Sequence, residues 1–125
     1  MIEIDNYEDL INYLNKSTIN QNNLLINNNQ EKICLLSFNL LHNMGIELIS
    51  FSIEQAQKNN NNSLIFIANC TDCLPYTLFC MENKFEYILF NNKDIFTKLK
   101  KVKNYQNVVF FEDKEKIIEY FKNNV

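Results

Sequence analysis

Ser63-Leu64-Ile65-Phe66-Ile67-Ala68, followed by Asn69-Cys70-Thr71-Asp72 and then Cys73-Leu74-Pro75, is the stretch that decides how the rest of the chain reads. The first six residues are apolar without alternation, the pattern of a strand buried on both faces. The next four supply turn and N-cap chemistry. Residues 73–83 then read as a helix, with Pro75 tolerated in its first turn and Leu74, Leu78, Phe79 and Met81 spaced to face a sheet. Residues 85–90 follow as a second strand. This strand–helix–strand unit predicts a parallel pair joined by a right-handed crossover, in the middle of a sheet.

Working outward, Asp5 or Asn6 can cap a helix carrying Tyr7, Leu10, Ile11 and Leu14 on one face. Residues 17–29 are Asn-rich and read as a linker. A second helix is expected over 30–43 through Ile33, Leu36, Leu40 and Leu41, with Gly45 as its left-handed stop. Residues 47–51 read as a short strand. Ser52 then caps a brief helix with Ile53 and Ala56, and residues 59–62 make a polar turn. After Phe90, a helix is expected from Asp94 to about Val102, with Ile95, Phe96, Leu99 and Val102 inward. Residues 108–111 are the last strand, and Asp113 caps a final helix with Ile117, Ile118, Tyr120 and Phe121. The alternation predicts an α/β fold, a three-layer α/β/α sandwich with a small four-stranded mixed sheet. Residues 1–29 form an N-terminal helix and linker, and 30–125 the α/β domain.

At 125 residues, with 46% hydrophobic side chains, the chain is one domain with a real core. Asn makes up about a fifth of the residues, whereas Gly and Pro occur once each. The net charge of −3 argues against generic nucleic-acid binding, and all 12 cationic residues are Lys, which offers phosphate a point charge and not the bidentate fork of Arg. The acidic start, from Met1 to Asp5, lacks a signal-peptide layout, and no apolar run reaches membrane-spanning length. A cytoplasmic protein with reduced thiols and no membrane partner is expected.

The run from Ser63 to Cys70, a helix containing Phe79-Cys80, the strand at 85–90 and then Asn91-Asn92-Lys93 together resemble the L-seven-Ae/L-thirty-e superfamily of RNA-binding proteins. Within it, Val108-Val109-Phe110-Phe111-Glu112-Asp113 leading to Ile117-Ile118-Glu119-Tyr120-Phe121-Lys122 is similar to the C-terminus of the eukaryotic small-subunit ribosomal S-twelve-e family. Leu41-His42-Asn43 with Gly45 resembles that family's entry into its first core helix. The resemblance spans residues 31–123. Kink-turn binders of the superfamily carry a Gly-x-Asn-x-x-x-Lys motif. The matching Ser50-Phe51-Ser52-Ile53-Glu54-Gln55-Ala56 lacks those residues, and Ile95-Phe96 replaces the usual Leu-Gly pair. The S-twelve-e branch is less tied to that motif. It implies a structural constituent of the 40S ribosomal subunit, binding rRNA in the head or beak, with neighbouring ribosomal proteins as partners and no small-molecule substrate. The same kinship allows a subunit of a small nucleolar or RNase P particle.

Lys93, Lys98, Lys100, Lys101 and Lys103 form the only dense basic segment, with Tyr105 nearby. They are the candidate RNA-binding residues, set against the plain reading of a solvated helix face. Cys70-Thr71-Asp72-Cys73 lies between a strand and a helix N-terminus, the position of a glutaredoxin-like thiol-disulfide oxidoreductase. Such folds also need a cis-proline loop beside the cysteines, and Pro75 is the only proline. The competing reading is that Cys70 and Cys80 are small buried residues. A zinc site from Cys70, Cys73, Cys80 and either Cys34 or His42 would contain only one close pair where structural sites use two, and Cys80 is expected to point away from the loop. His42, the only histidine, is expected to meet the last carbonyls of its own helix. No Gly-rich phosphate loop exists. No catalytic set, metal or cofactor is expected.

Overall fold

Ile33–Leu36 is four apolar residues in a row, each of them buried, and it forms strand β2 where a helix was expected. Ile33 and Leu36 do fall at helical spacing. However, Cys34 and Leu35 between them are equally apolar, and a segment apolar on every side satisfies a strand covered on both faces. The computed structural model describes residues 1–21, 33–60, 64–101 and 107–123. Most of the expected linker, the core of the turn at 59–62, Val102, Lys103 and Tyr105 lie outside them.

The chain runs β1 (Ile2–Ile4), α1 (Tyr7–Gln21), β2, α2 (Phe38–Met44), α3 (Ile46–Asn60), β3 (Ile65–Asn69) and α4 (Leu74–Glu82). It continues through β4 (Tyr87–Leu89), α5 (Lys93–Lys100), β5 (Val109–Phe111) and α6 (Lys114–Asn123). The five strands lie in the order β1-β2-β3-β4-β5, every neighbouring pair parallel. The α/β class is therefore as expected, while the four-stranded mixed sheet is corrected to five parallel strands. Two differences account for this. Ile2–Ile4 adds an edge strand beside β2. The expected strand at 47–51 is instead part of α3, because Ile46, Ile49 and Ile53 repeat at i, i+3 and i+7 and are buried, while Leu48 and Phe51 are exposed. Ser52 is accordingly an interior residue of α3, its hydroxyl donating to the Leu48 carbonyl, and not a cap.

Register aligns Ile4, Leu36, Ala68, Ile88 and Phe110 in one row across all five strands. Their side chains belong to the larger core, which Leu10 and Leu14 of α1, Leu40 and Leu41 of α2, Ile49 of α3, Cys80 and Met81 of α4 and Leu99 of α5 complete. The connecting helices thus share one face, as a sheet wound in sequence order with crossovers of one hand requires. The other face is smaller. Among the described residues, Ile33, Leu35, Ile67, Leu89 and Phe111 meet Ile117 and Phe121 of α6, with the Tyr87 ring stacked on Phe111 and edge-on or tilted to Tyr120 and Phe121. Lys114, at the start of α6, ion-pairs with Glu3 on this face of β1.

The helix starts follow sequence chemistry. Asn6 accepts from the Asp9 amide, Asn92 from Ile95 and Asp113 from Lys116, at 2.8, 3.3 and 2.9 Å. Ser37, unanticipated as a cap, accepts from the Leu40 amide at 3.1 Å and donates to Asp5 at 2.6 Å, tying α1's approach to α2's start. Gly45 separates α2 from α3 with φ +85° and ψ 135°, a positive φ as expected but outside the left-handed helical region. A Cβ there would meet nothing within 4 Å, so the cost of one is backbone strain alone. Gly45→Ala is expected to lower stability by about 1–2 kcal/mol, read as a drop in urea midpoint at constant m value.

Candidate functional site

In parallel sheets, ligands gather beyond the carboxyl ends of the strands, where helix N-termini converge. Here that edge collects Asp5, Ser37, Asn69, Thr71, Asn92 and Asp113. Each has a local duty. Asn69 Oδ1 accepts from the Thr71 amide at 3.1 Å, Thr71 adopts a positive φ of 50°, and its carbonyl accepts from the Asn91 amide at 2.8 Å. The remaining four cap or link helices, as described above. The polar groups at this edge therefore turn the chain, and among the described residues no three His, Cys, Asp or Glu side chains are grouped to hold a metal ion.

Of the basic segment, Lys93, Lys98 and Lys101 are exposed on or at the end of α5, sharing its outer face with Asp94 and Thr97. Leu99 of the same helix is buried and Ile95 and Phe96 are half-buried, which fixes the direction that face points. Lys93 is 3.7 Å from Glu112, so its charge is shared with a carboxylate beyond β5. Lys100 is the last residue of α5, and Lys103 lies outside the described residues. The structure therefore sets Lys98 and Lys101 together as exposed cations with no ion pair among the described residues.

The cysteines are arranged otherwise than the spacing suggests. Cys70 is wholly buried and its Sγ lies 3.6 Å from Cys80 Sγ, so Cys80 points toward the loop and not away from it. Cys73 is half-buried at the N-cap of α4, where its side chain makes no capping bond. Its amide donates to the Cys70 carbonyl at 2.9 Å. Thr77, fully buried, donates to the Cys73 carbonyl at 2.9 Å and comes within hydrogen-bonding reach of Cys70. Pro75 is taken up in the first turn of α4. The contact between Cys80 and Cys70 was hidden because i and i+10 share no simple period across a strand–turn–helix.

His42 also departs from expectation. Its Nδ1 lies 2.5 Å from the Tyr76 hydroxyl of α4. Phe38, one turn earlier on α2, stacks on Tyr76 with centroids 5.0 Å apart. The i, i+4 spacing of Phe38 and His42 was the available signal for half of this cluster. A cavity of about 380 Å³ opens at the opposite edge of the sheet, between α3 and the starts of β3 and β4, and carries Glu54, Lys84 and Glu86 on its wall. Those three come from distant segments, and nothing local in the sequence marks them.

Cys34 provides a pH test of the core. Burial pushes its thiol from the ordinary 9.0 up to about 12, a hydrogen bond with Tyr13 offsetting part of the effect. The unfolded chain ionises this thiol near 9 while the folded protein retains the proton, so the folded state binds more protons between those values. Stability is accordingly expected to be unchanged by this group below pH 9 and to fall by about 1.4 kcal/mol per pH unit up to about pH 12. Cys34→Ala should flatten that alkaline slope in denaturant titrations at pH 8, 9 and 10.

No protein-family model, curated protein or solved structure matches this chain.

Proposed function

We propose that this protein is a non-catalytic subunit of a ribonucleoprotein particle, anchored to RNA phosphates by the outer face of α5. The observation that carries this reading is the exposure of Lys98 and Lys101 on a helix whose inner face is fixed in the core. Lysine heads free of carboxylate partners release counterions when they meet phosphate, and this supplies affinity without sequence recognition. The chain as a whole carries a net charge of −3, so the surface away from α5 is acidic and faces solvent or protein neighbours. The resemblance of residues 108–122 to the S-twelve-e family names the particle as the small ribosomal subunit and the location as the cytoplasmic ribosome. The five-stranded parallel sheet departs from that family's expected mixed sheet, so the proposal stands on the α5 surface and the C-terminal pattern and not on topology. No helix among the described residues is long and apolar enough to cross a membrane.

The test is a salt titration of RNA binding. Lys98→Ala with Lys101→Ala should weaken association with small-subunit RNA and flatten the slope of log K against log salt by about 0.7–0.9 per lysine. Both positions are exposed, so stability should stay within about 0.5 kcal/mol. A slope equal to that of the parent protein would remove α5 from the interface.

A further inference from the structure

The chain has four cysteines and no disulfide; Cys70 and Cys80 bring their sulfurs together where β3 hands over to α4, and Cys73 is the N-cap residue of that helix. We propose that Cys70 and Cys80 are a reversible disulfide site that exchanges with a small-molecule disulfide, Cys73 being the point of entry. The two sulfurs already touch at 3.6 Å, and a covalent bond needs about 2.0 Å. The remaining gap is closed by side-chain rotation with slight adjustment of the turn.

Both members of the pair are wholly inaccessible, so an oxidant in solution cannot reach either directly. Cys73 is half-buried and sits at the end of the turn that Cys70 begins, their backbones joined by the 2.9 Å bond from the Cys73 amide to the Cys70 carbonyl. Exchange proceeds in three balanced steps. The Cys73 thiol, losing its proton, displaces one thiol from the small disulfide and forms a mixed disulfide. Cys70 displaces the second small thiol, giving a Cys70–Cys73 bond. Cys80 then attacks Cys70 and returns Cys73 to the thiol. In sum, two protein thiols lose two protons and two electrons as one S–S bond forms, and the small disulfide takes them up as two thiols.

The surroundings favour Cys70 as the sulfur through which the bond passes. The hydrogen bond between the two thiols holds Cys70 below the ordinary thiol value, while Cys80 is pushed upward by that bond and by burial. Thr77, buried in this core, gives its hydroxyl proton to the Cys73 carbonyl and lies within hydrogen-bonding reach of Cys70, which fixes the turn that carries both cysteines. The finished bond ties the end of β3 to the second turn of α4 and closes a loop around the positive-φ residue Thr71.

The experiment is incubation of the full chain with oxidised glutathione, followed by alkylation of remaining thiols and peptide mapping. Cleavage at Lys58 and Lys84 leaves Cys70, Cys73 and Cys80 in one peptide, so cuts before Asp72 and after Tyr76 are added. The expected product joins Cys70 to Cys80, leaves Cys73 alkylated, and slows amide exchange in α4 by about tenfold or more. Cys73→Ser should give the same bond at least about tenfold more slowly, and Cys80→Ala should stop at Cys70–Cys73. A final Cys70–Cys73 bond in the parent protein, or Cys70 and Cys80 both still alkylated, would overturn the site. An unchanged rate in Cys73→Ser would overturn the entry role. Neither result bears on RNA binding, which α5 supplies.

Discussion

Replacing Ile117 by Ala is expected to destabilise the protein by about 2–5 kcal/mol, while Ile118→Ala beside it changes stability by no more than about 0.5 kcal/mol. Ile117 is wholly buried against the face of the sheet that α6 covers, and Ile118 is 49% exposed. Among the described residues, the seal on that face is made chiefly by Ile117, Phe121 and the rings of Tyr87, Phe111 and Tyr120. A cavity at Ile117 has few neighbours able to collapse into it, which places the cost toward the upper end. Since domains of this size are stable by about 5–15 kcal/mol in total, the variant should unfold at a much lower urea concentration. Equal effects at the two positions would mean that α6 does not lie on the sheet in this orientation.

The second large effect concerns the N-terminal segment. Leu10→Ala is expected to cost about 2–5 kcal/mol, because Leu10 is fully buried in the larger core with Leu14, Leu40 and Ile49. Asn12→Ala, on the exposed side of α1, serves as the control and should be nearly silent. Were residues 1–21 a detachable extension, Leu10→Ala would leave the unfolding transition where it is. Pairing of β1 with β2 and the bond from Ser37 to Asp5 predict the opposite, a single transition lost as a unit.

These two segments show what the sequence made legible. The buried strand at 65–69 announced itself by lacking alternation, and the caps at Asn6 and Asp113 by residue type just ahead of an apolar period. The final helix was readable too, although nothing told Ile117 from Ile118, since both fit a stripe broader than the one used. Residues 33–36 misled because a fully buried strand and a short buried helix share the same apolar run. At 46–60 the exposed Leu48 and Phe51 filled the gaps between buried positions, and a strand was read where isoleucines kept a helical beat. The three residues of β1 are too few to show a period. The all-parallel order was missed with them, because it needs a helix in every connection and the expected strand at 47–51 removed one.

The site was less readable than the fold. Exposure of Lys98 and Lys101 followed from the helical period, whereas the pairing of Lys93 with Glu112 depends on how β5 exits beside α5. Cys70 and Cys80 are buried, as the plain reading of those residues holds, but their contact with each other was not legible, since spacing had set Cys80 pointing away from the loop. A side chain's partner is fixed by how the helix rotates onto the sheet, and spacing alone does not contain that angle. The bond between His42 and Tyr76 has the same origin, two helices brought side by side by parallel winding.

Sedimentation of a cell lysate through a high-salt sucrose gradient tests the central claim most directly. The protein should travel with small ribosomal subunits and stay there through the wash, and the Lys98→Ala, Lys101→Ala form should move toward the top of the gradient. Recovery of the parent protein entirely at the top, free of any RNA-containing particle, would contradict the account.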